Sequence, residues 1–447
     1  MRAVDAVLRG EREARRAPAV SGAGRWRRGL LQAWLLVAPS LACAATDGPG
    51  DDRRGYEEAH FHTRSSAVDA RAGVPADLVA RARQGQLGLP ALDLAVPDAV
   101  LSSRAALGRK LFFDRRLSLN GTQSCAMCHI PEQGFANNEI ATAVGIEGRS
   151  VGRNAPTLYN VAFMQVLFHD GRERTLEQQA WQPMLHPNEM ANPSIGFVVD
   201  MLAAQPDYAG LFEAAFDGRG PALETVAQAL ATYQRLLVSG GSRFDRWYFG
   251  ADSAALDARE RRGFELFTGR ARCAACHLVG ASHALFTDQR FHNTGVAWRR
   301  SERAGTDAAR VWLYPGVSVT VSAELIRAVG RPPAPDAGRY RVTRNPADRG
   351  MFRTPGLRNV ALTAPYMHDG ALATLAAVVE FYDRGGAPDP QLSPLIGPLG
   401  LSAADRADLV AFLEALTGEY RSLVLDAFAA PVGAVGGGPR PAPEGDR

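Results

Sequence analysis

The chain has 447 residues, 46% hydrophobic and 22% charged, with 45 Gly, 28 Pro and five Cys. These figures exclude a disordered, collagenous or disulfide-dense chain, and the length suggests two or three domains. Fifty basic against 47 acidic residues leave +3, too little to argue for nucleic acid, and the odd cysteine count forbids complete pairing.

The first element is a targeting segment. Arg25-Trp26-Arg27-Arg28 precedes the apolar run from Gly29 to Ala38, followed by Pro39 and small residues around Ala42-Cys43-Ala44. A basic flank, about ten apolar residues and an Ala-x-Ala site make residues 1–44 a Sec-type signal and imply export to the periplasm. Arg27-Arg28 fits a twin-arginine pattern poorly. The run is too short to span a bilayer, and no other stretch reaches about 18 apolar residues. Cys43 has two readings: removal with the signal, or lipidation, the one route to membrane association. Leu41 makes a poor lipoprotein box, which favours removal. Residues 1–44 carry eight Arg against Asp5, Glu11 and Glu13, so the remaining chain carries −2.

Residues 45–85 are polar and Gly-rich, a predicted linker or arm, and residues 429–447 form a Pro/Gly tail. Between them runs a repeat. Cys125-Ala-Met-Cys128-His129 recurs as Cys273-Ala-Ala-Cys276-His277, each after a helical stretch, Gly108 to Phe112 and Gly263 to Phe267. At an offset of 199 residues, Pro156-Thr-Leu158-Tyr-Asn160 matches Pro355-Gly-Leu357-Arg-Asn359, and Phe168-His169-Asp170-Gly171 matches Met367-His368-Asp369-Gly370. Thr175 and Thr374 each open a helix, and Thr175 with Gln178 predicts a capping box. The match implies two homologous domains, 86–248 and 249–428. Residues 225–238 and 403–416 predict closing helices. From motif histidine to repeat proline is 27 residues in the first copy and 78 in the second, so the second carries an insertion, strand-like over 310–321. The fold class is mainly all-α.

C-x-x-C-H is the attachment sequence for c-type haem: both thiols join the vinyl groups and the histidine ligates the iron. The rival readings are a zinc half-site and a redox dithiol. A four-cysteine zinc site would leave two histidines unexplained, and a dithiol lacks its βαβ frame. Two haems are therefore expected, on Cys125, Cys128 and His129, and on Cys273, Cys276 and His277. The sixth iron position decides between electron carrier and catalyst. The repeat sets Tyr382 opposite Pro183, which cannot ligate iron, so the first haem is expected to be open and the second closed. Met351 and Met367 are the alternatives to Tyr382, although Met367 aligns with Phe168, which reads as core packing.

From Leu107 to Glu419 the chain resembles the bacterial di-haem cytochrome c peroxidase family, and more closely its MauG-like branch. Arg153-Asn-Ala-Pro-Thr157, Asp170-Gly-Arg172, Glu189-Met190, Phe352-Arg-Thr-Pro355 and Leu362-Thr-Ala-Pro-Tyr-Met-His-Asp-Gly370 carry the likeness. It implies two tandem cytochrome c-like haem domains, the first peroxidatic and the second for electron transfer. Ile146 falls where many members have a removable distal histidine, implying a constitutively open haem. Glu189 and Gln179 match the distal catalytic pair, and a carboxylate there can move a proton between the oxygens of peroxide. Their bland alternatives are a solvated loop acid and a helix-surface amide. Tyr382, followed by Gly385-Gly386, matches the MauG branch, and phenolate stabilises high-valent iron. The resemblance also implies Ca2+ at the Asn154 side chain and the Thr363 and Pro365 carbonyls.

His169 stands where the family commonly has an inter-haem tryptophan; imidazole is harder to oxidise than indole, so relay through it is doubtful. Trp298 and Trp312 are other routes. His368 and Asp369 are expected to organise a turn, and His60, His62, His186, His283 and His292 to be surface or structural. The expected function is peroxide reduction with electrons from a periplasmic cytochrome c or cupredoxin. The alternatives are MauG-like oxidation of residues on a partner protein and a non-catalytic electron carrier. With haem propionates added to −2, the mature protein is expected to be acidic and suited to a basic donor.

Overall fold

The computed structural model describes residues 73–298, 309–314, 317–322 and 336–429, within the compact unit Ala59–Arg447. The predicted leader with Cys43, then His60 and His62, the Trp312 side chain and the tail beyond Ala429 lie outside the described residues.

The principal helices are α1 (Leu78–Gln84), α2 (Asp98–Phe113), α3 (Leu176–Leu185), α4 (Leu223–Arg235), α5 (Arg243–Tyr248), α6 (Ala258–Thr268), α7 (Leu375–Asp383), α8 (Ala403–Glu414) and α9 (Arg421–Ala429). Strand content is small. β1 (Phe291–His292) pairs antiparallel with β4 (Phe352–Arg353), and the predicted insertion holds the hairpin of β2 (Ala309–Tyr314) and β3 (Val317–Val321). The mainly all-α class expected from periodicity is the class observed.

Local chemistry sets the helix starts. Asp257 and Glu260 form a capping box at α6, as do Ser402 and Asp405 at α8. Thr175 Oγ1 accepts the Gln178 N–H at 3.2 Å, the forward half of the box expected at α3.

The two copies pack alike. α2 crosses α4, and α6 crosses α8. Gly108 and Gly263 stand at these crossings: a Cβ would lie 2.0 Å from the Ala229 carbonyl oxygen in one and 2.1 Å from that of Asp408 in the other. Only glycine lets the backbones approach so closely. One apolar cluster gathers Leu111, Phe112, Phe135, Tyr159, Leu230 and Tyr233; the other gathers Phe244, Phe267, Phe286, Leu409 and Phe412.

Two boundaries differ from expectation. Leu78, Val79 and Ala82 of α1, within the predicted arm, are buried in the first cluster. Leu423 and Ala427 of α9, within the second predicted domain, are buried there too. Polarity of the whole segment masked three apolar residues on one face of α1, and a chain end can return to either core.

Candidate active site

Each motif histidine is held by its own aromatic core. His129 Nδ1 lies 3.0 Å from the Phe135 carbonyl oxygen, and His277 Nδ1 lies 2.8 Å from that of Phe286. A carbonyl only accepts, so Nδ1 carries the proton and Nε2 keeps its lone pair for a metal. Burial lowers both imidazole pKa values and keeps the rings neutral. Phe135 and Phe286 both have left-handed backbones, φ 51° and 53°. Such strain, about 1–3 kcal/mol each, persists where surroundings over-determine it. Here the flanking rings do so: Phe135 packs on Phe112 and Tyr159, and Phe286 on Phe244 and Phe267.

A cavity of about 790 Å3 runs past both motifs, lined by Cys128, His129, Cys273, Cys276 and His277. The four motif cysteines are free. Burial pushes the Cys125 and Cys273 thiols up to about 12, and those of Cys128 and Cys276 up to about 11. A reactive dithiol needs the opposite shift. Among the described residues, the one trio of side chains close enough to share a metal ion is Cys276, Asp288 and His292, so the motif cysteines do not converge on a zinc site. Free thiols, ligand-ready imidazoles and a cavity of cofactor size fit two covalent haems.

The distal candidates come together. Gln179 and Pro183 on α3 and Glu189 beyond its end line this cavity and also a second void of about 60 Å3 beside Cys125, Cys128 and His129. Burial raises the Glu189 pKa against the opposing pull of His186 and Arg172. Half-buried on the cavity wall, Glu189 holds its proton more readily than a fully solvated acid. Ile146 is 2% exposed, packed away from the cavity.

Tyr382, on α7, lines the cavity, and burial raises its phenol pKa, with Cys276 and Cys273 as its electrostatic neighbours. Met367 lines the cavity as well, whereas Met351 does not. Met367 and its counterpart Phe168 share left-handed backbones, φ 74° and 63°, consistent with a common packing role. Asn154, Thr363 and Pro365 also line the cavity. Asn154 Nδ2 donates to the Ala141 carbonyl at 3.0 Å, which leaves Oδ1 as its ligand-capable atom. His169 Nε2 donates to the Asn154 carbonyl at 2.9 Å, and burial lowers its pKa to about 4, so it is neutral.

Four functional candidates escaped the sequence reading. His186 Nδ1 stands 3.6 Å from Glu189 Oε1, and His292 Nε2 2.8 Å from Asp288 Oδ2; both line the cavity. His186 is exposed and His292 is held by its acid, so both fit the surface or structural expectation while also reaching the cavity wall. The three-residue spacing of His186 from Glu189 was the available signal. Arg172 lies 3.4 Å over the Phe168 ring beside the site, and Arg353 enters the cavity wall from β4. His283 stays peripheral, 3.1 Å from Ser282 Oγ, while His368 is buried and stacked 3.7 Å from Phe352.

With paired haem-attachment turns in duplicated helical frames and one cavity joining them, the chain belongs to the di-haem cytochrome c peroxidase family, whose model matches residues 102–253. Membership implies two c-type haems and a peroxidase-type or MauG-like oxidoreductase. The methylamine utilization protein MauG of Methylorubrum extorquens is 38% identical over 398 residues, 89% of this chain and 97% of that one. Cytochrome-c peroxidase IdrP1 of Denitromonas iodatirespirans is 36% identical over 74% of this chain and 85% of its own. Among solved structures, a MauG-like protein associated with microbial copper homeostasis matches with a TM-score of 0.58 and 32% identity, covering 74% of this chain and 97% of that one. Among the described residues no helix is long and apolar enough to cross a membrane.

Proposed function

We propose that the chain is an exported enzyme that reduces hydrogen peroxide at the haem of His129, with electrons delivered through the haem of His277. The observation that carries this is the asymmetry of the repeat: Pro183 and Tyr382 occupy equivalent positions, and both line the cavity. Proline offers no ligand, so nothing at that position would close the first haem, whereas the phenol of Tyr382 would be available to hold the second. Haem iron supplies the electrons for O–O cleavage; the protein supplies position and protons. Glu189 takes a proton from one peroxide oxygen and returns it to the departing oxygen, and its raised pKa suits both transfers. The amide of Gln179 orients the peroxide. Two electrons and two further protons complete reduction to two waters. Asn154 Oδ1 with the Thr363 and Pro365 carbonyls would hold Ca2+, a hard cation suited to oxygen donors.

A second reading is oxidation of residues on a partner protein. It is favoured by Tyr382 and by the long match to a MauG.

Glu189→Gln in holoenzyme from the periplasmic fraction tests the first reading. Peroxide consumption with reduced cytochrome c should fall about 10²-fold or more. An unchanged rate removes Glu189 from the mechanism. A wild-type enzyme that reacts with peroxide but does not turn over with the donor favours the second reading, and absence from the periplasm overturns export.

A further inference from the structure

Of the arginines lining the cavity, Arg153, Arg172, Arg341 and Arg358 each reach a carboxylate, and Arg272 is exposed. Arg353 is different. It sits half-buried in the cavity wall, on β4, and among the described residues no carboxylate pairs with it. Its nearest acceptors are distant: Nη1 lies 3.2 Å from Met164 Sδ and 3.4 Å from the Thr354 oxygen, and Nε lies 3.5 Å from the Phe168 oxygen. A guanidinium has five N–H donors, and contacts this long leave most of them unspent. Burial alone acts on the group and lowers its pKa to about 10.

The backbone gives Arg353 no freedom to leave. Its N–H donates to the His169 carbonyl at 2.8 Å, and it pairs with Phe291 across the small sheet. The side chain reaches Met164 and Phe168, which belong to the first copy, so the cation sits at the boundary between repeats. Its counterpart in the first copy, 199 residues earlier, is the neutral Asn154. A half-buried cation on the cavity wall with no carboxylate beside it is poorly compensated, and an anion in the cavity would balance it. Peroxide is neutral and transient. Covalent haem brings permanent carboxylates into this cavity.

We propose that Arg353 is a cofactor-binding residue whose guanidinium pairs with a haem propionate at the boundary between the repeats. This rests on the two-haem reading. The planar fork matches a carboxylate in bidentate fashion, which holds the macrocycle as well as neutralising it. Charge beside a haem sets its reduction potential, so Arg353 favours the ferrous state of the haem it holds.

The test is Arg353→Met in the holoenzyme, with both midpoint potentials measured by spectroelectrochemistry. One haem should shift to lower potential while the other stays, and the one that moves carries the paired propionate. If both potentials match wild type, the proposal is overturned. Should Arg353→Met fail to assemble, Arg353→Lys keeps the charge but loses the fork; a smaller downward shift of one haem is then expected, and none overturns the proposal. Haem content is measured separately: fewer than two haems per wild-type chain refutes the underlying cofactor reading instead.

Discussion

Asp245 and Arg358 form a buried ion pair, with side chains 0% and 3% exposed. The contact is bidentate, Nη1 to Oδ2 at 2.7 Å and Nη2 to Oδ1 at 2.8 Å. Arg358 also donates to the carbonyls of Ala284 and Gly88, while Asp245 Oδ2 accepts the Ser242 N–H and hydroxyl at 2.9 Å. The pair therefore ties four segments together beside the second motif. Asp245→Ala leaves a buried guanidinium uncompensated, which costs about 3–5 kcal/mol. It also removes the carboxylate half of the capping box at α5, worth at most about 1 kcal/mol. The shared carboxylate makes these terms non-additive, so a loss of about 4–5 kcal/mol is expected. Against a usual net stability of about 5–15 kcal/mol, that is large. Urea unfolding of the holoenzyme, followed by far-UV circular dichroism and haem absorbance, measures it. The decisive variant is Asp245→Ala with Arg358→Met. With no charge left buried, it should recover much of the loss. A double variant as unstable as Asp245→Ala alone would refute the uncompensated-charge argument.

Two further outcomes follow from the cavity. Tyr382→Phe removes the phenol oxygen and should convert the second haem from a closed to an open, exchangeable coordination, seen as added high-spin signal in ferric electron paramagnetic resonance. An unchanged spectrum would transfer the ligand role to Met367. Chelator-treated holoenzyme should bind Ca2+ in calorimetric titration, and Asn154→Ala should weaken that binding at least tenfold, about 1.4 kcal/mol; no binding heat in the wild type would dismiss the ion.

The distal group illustrates how local and distant information divide. Pro183, Glu189 and Gln179 lie within eleven residues, so helix geometry and a short return already bring them near one another. His186 belongs to the same stretch, yet its nearness to Glu189 depends on how the chain leaves α3. There the His186 carbonyl accepts the N–H groups of Glu189 and Ala191, at 2.9 and 3.1 Å. No periodicity announces such a turn. Arg353 was harder still, because an arginine in a strand-like string reads as a solvated charge until its surroundings are seen to offer no paired acid among the described residues.

The sequence by itself determined the repeat, the helical class, the two haem-attachment turns and the contrast between Pro183 and Tyr382. Each of these is a matter of residue type and spacing, which covalent chemistry and helical periodicity translate directly. Tertiary structure alone decided that α1 and α9 complete the first core, that both motifs open on one cavity, that burial raises the Glu189 pKa, and that Arg353 has no carboxylate partner among the described residues. Burial and pairing depend on what distant segments bring to a residue, and one chain read in order does not contain that information.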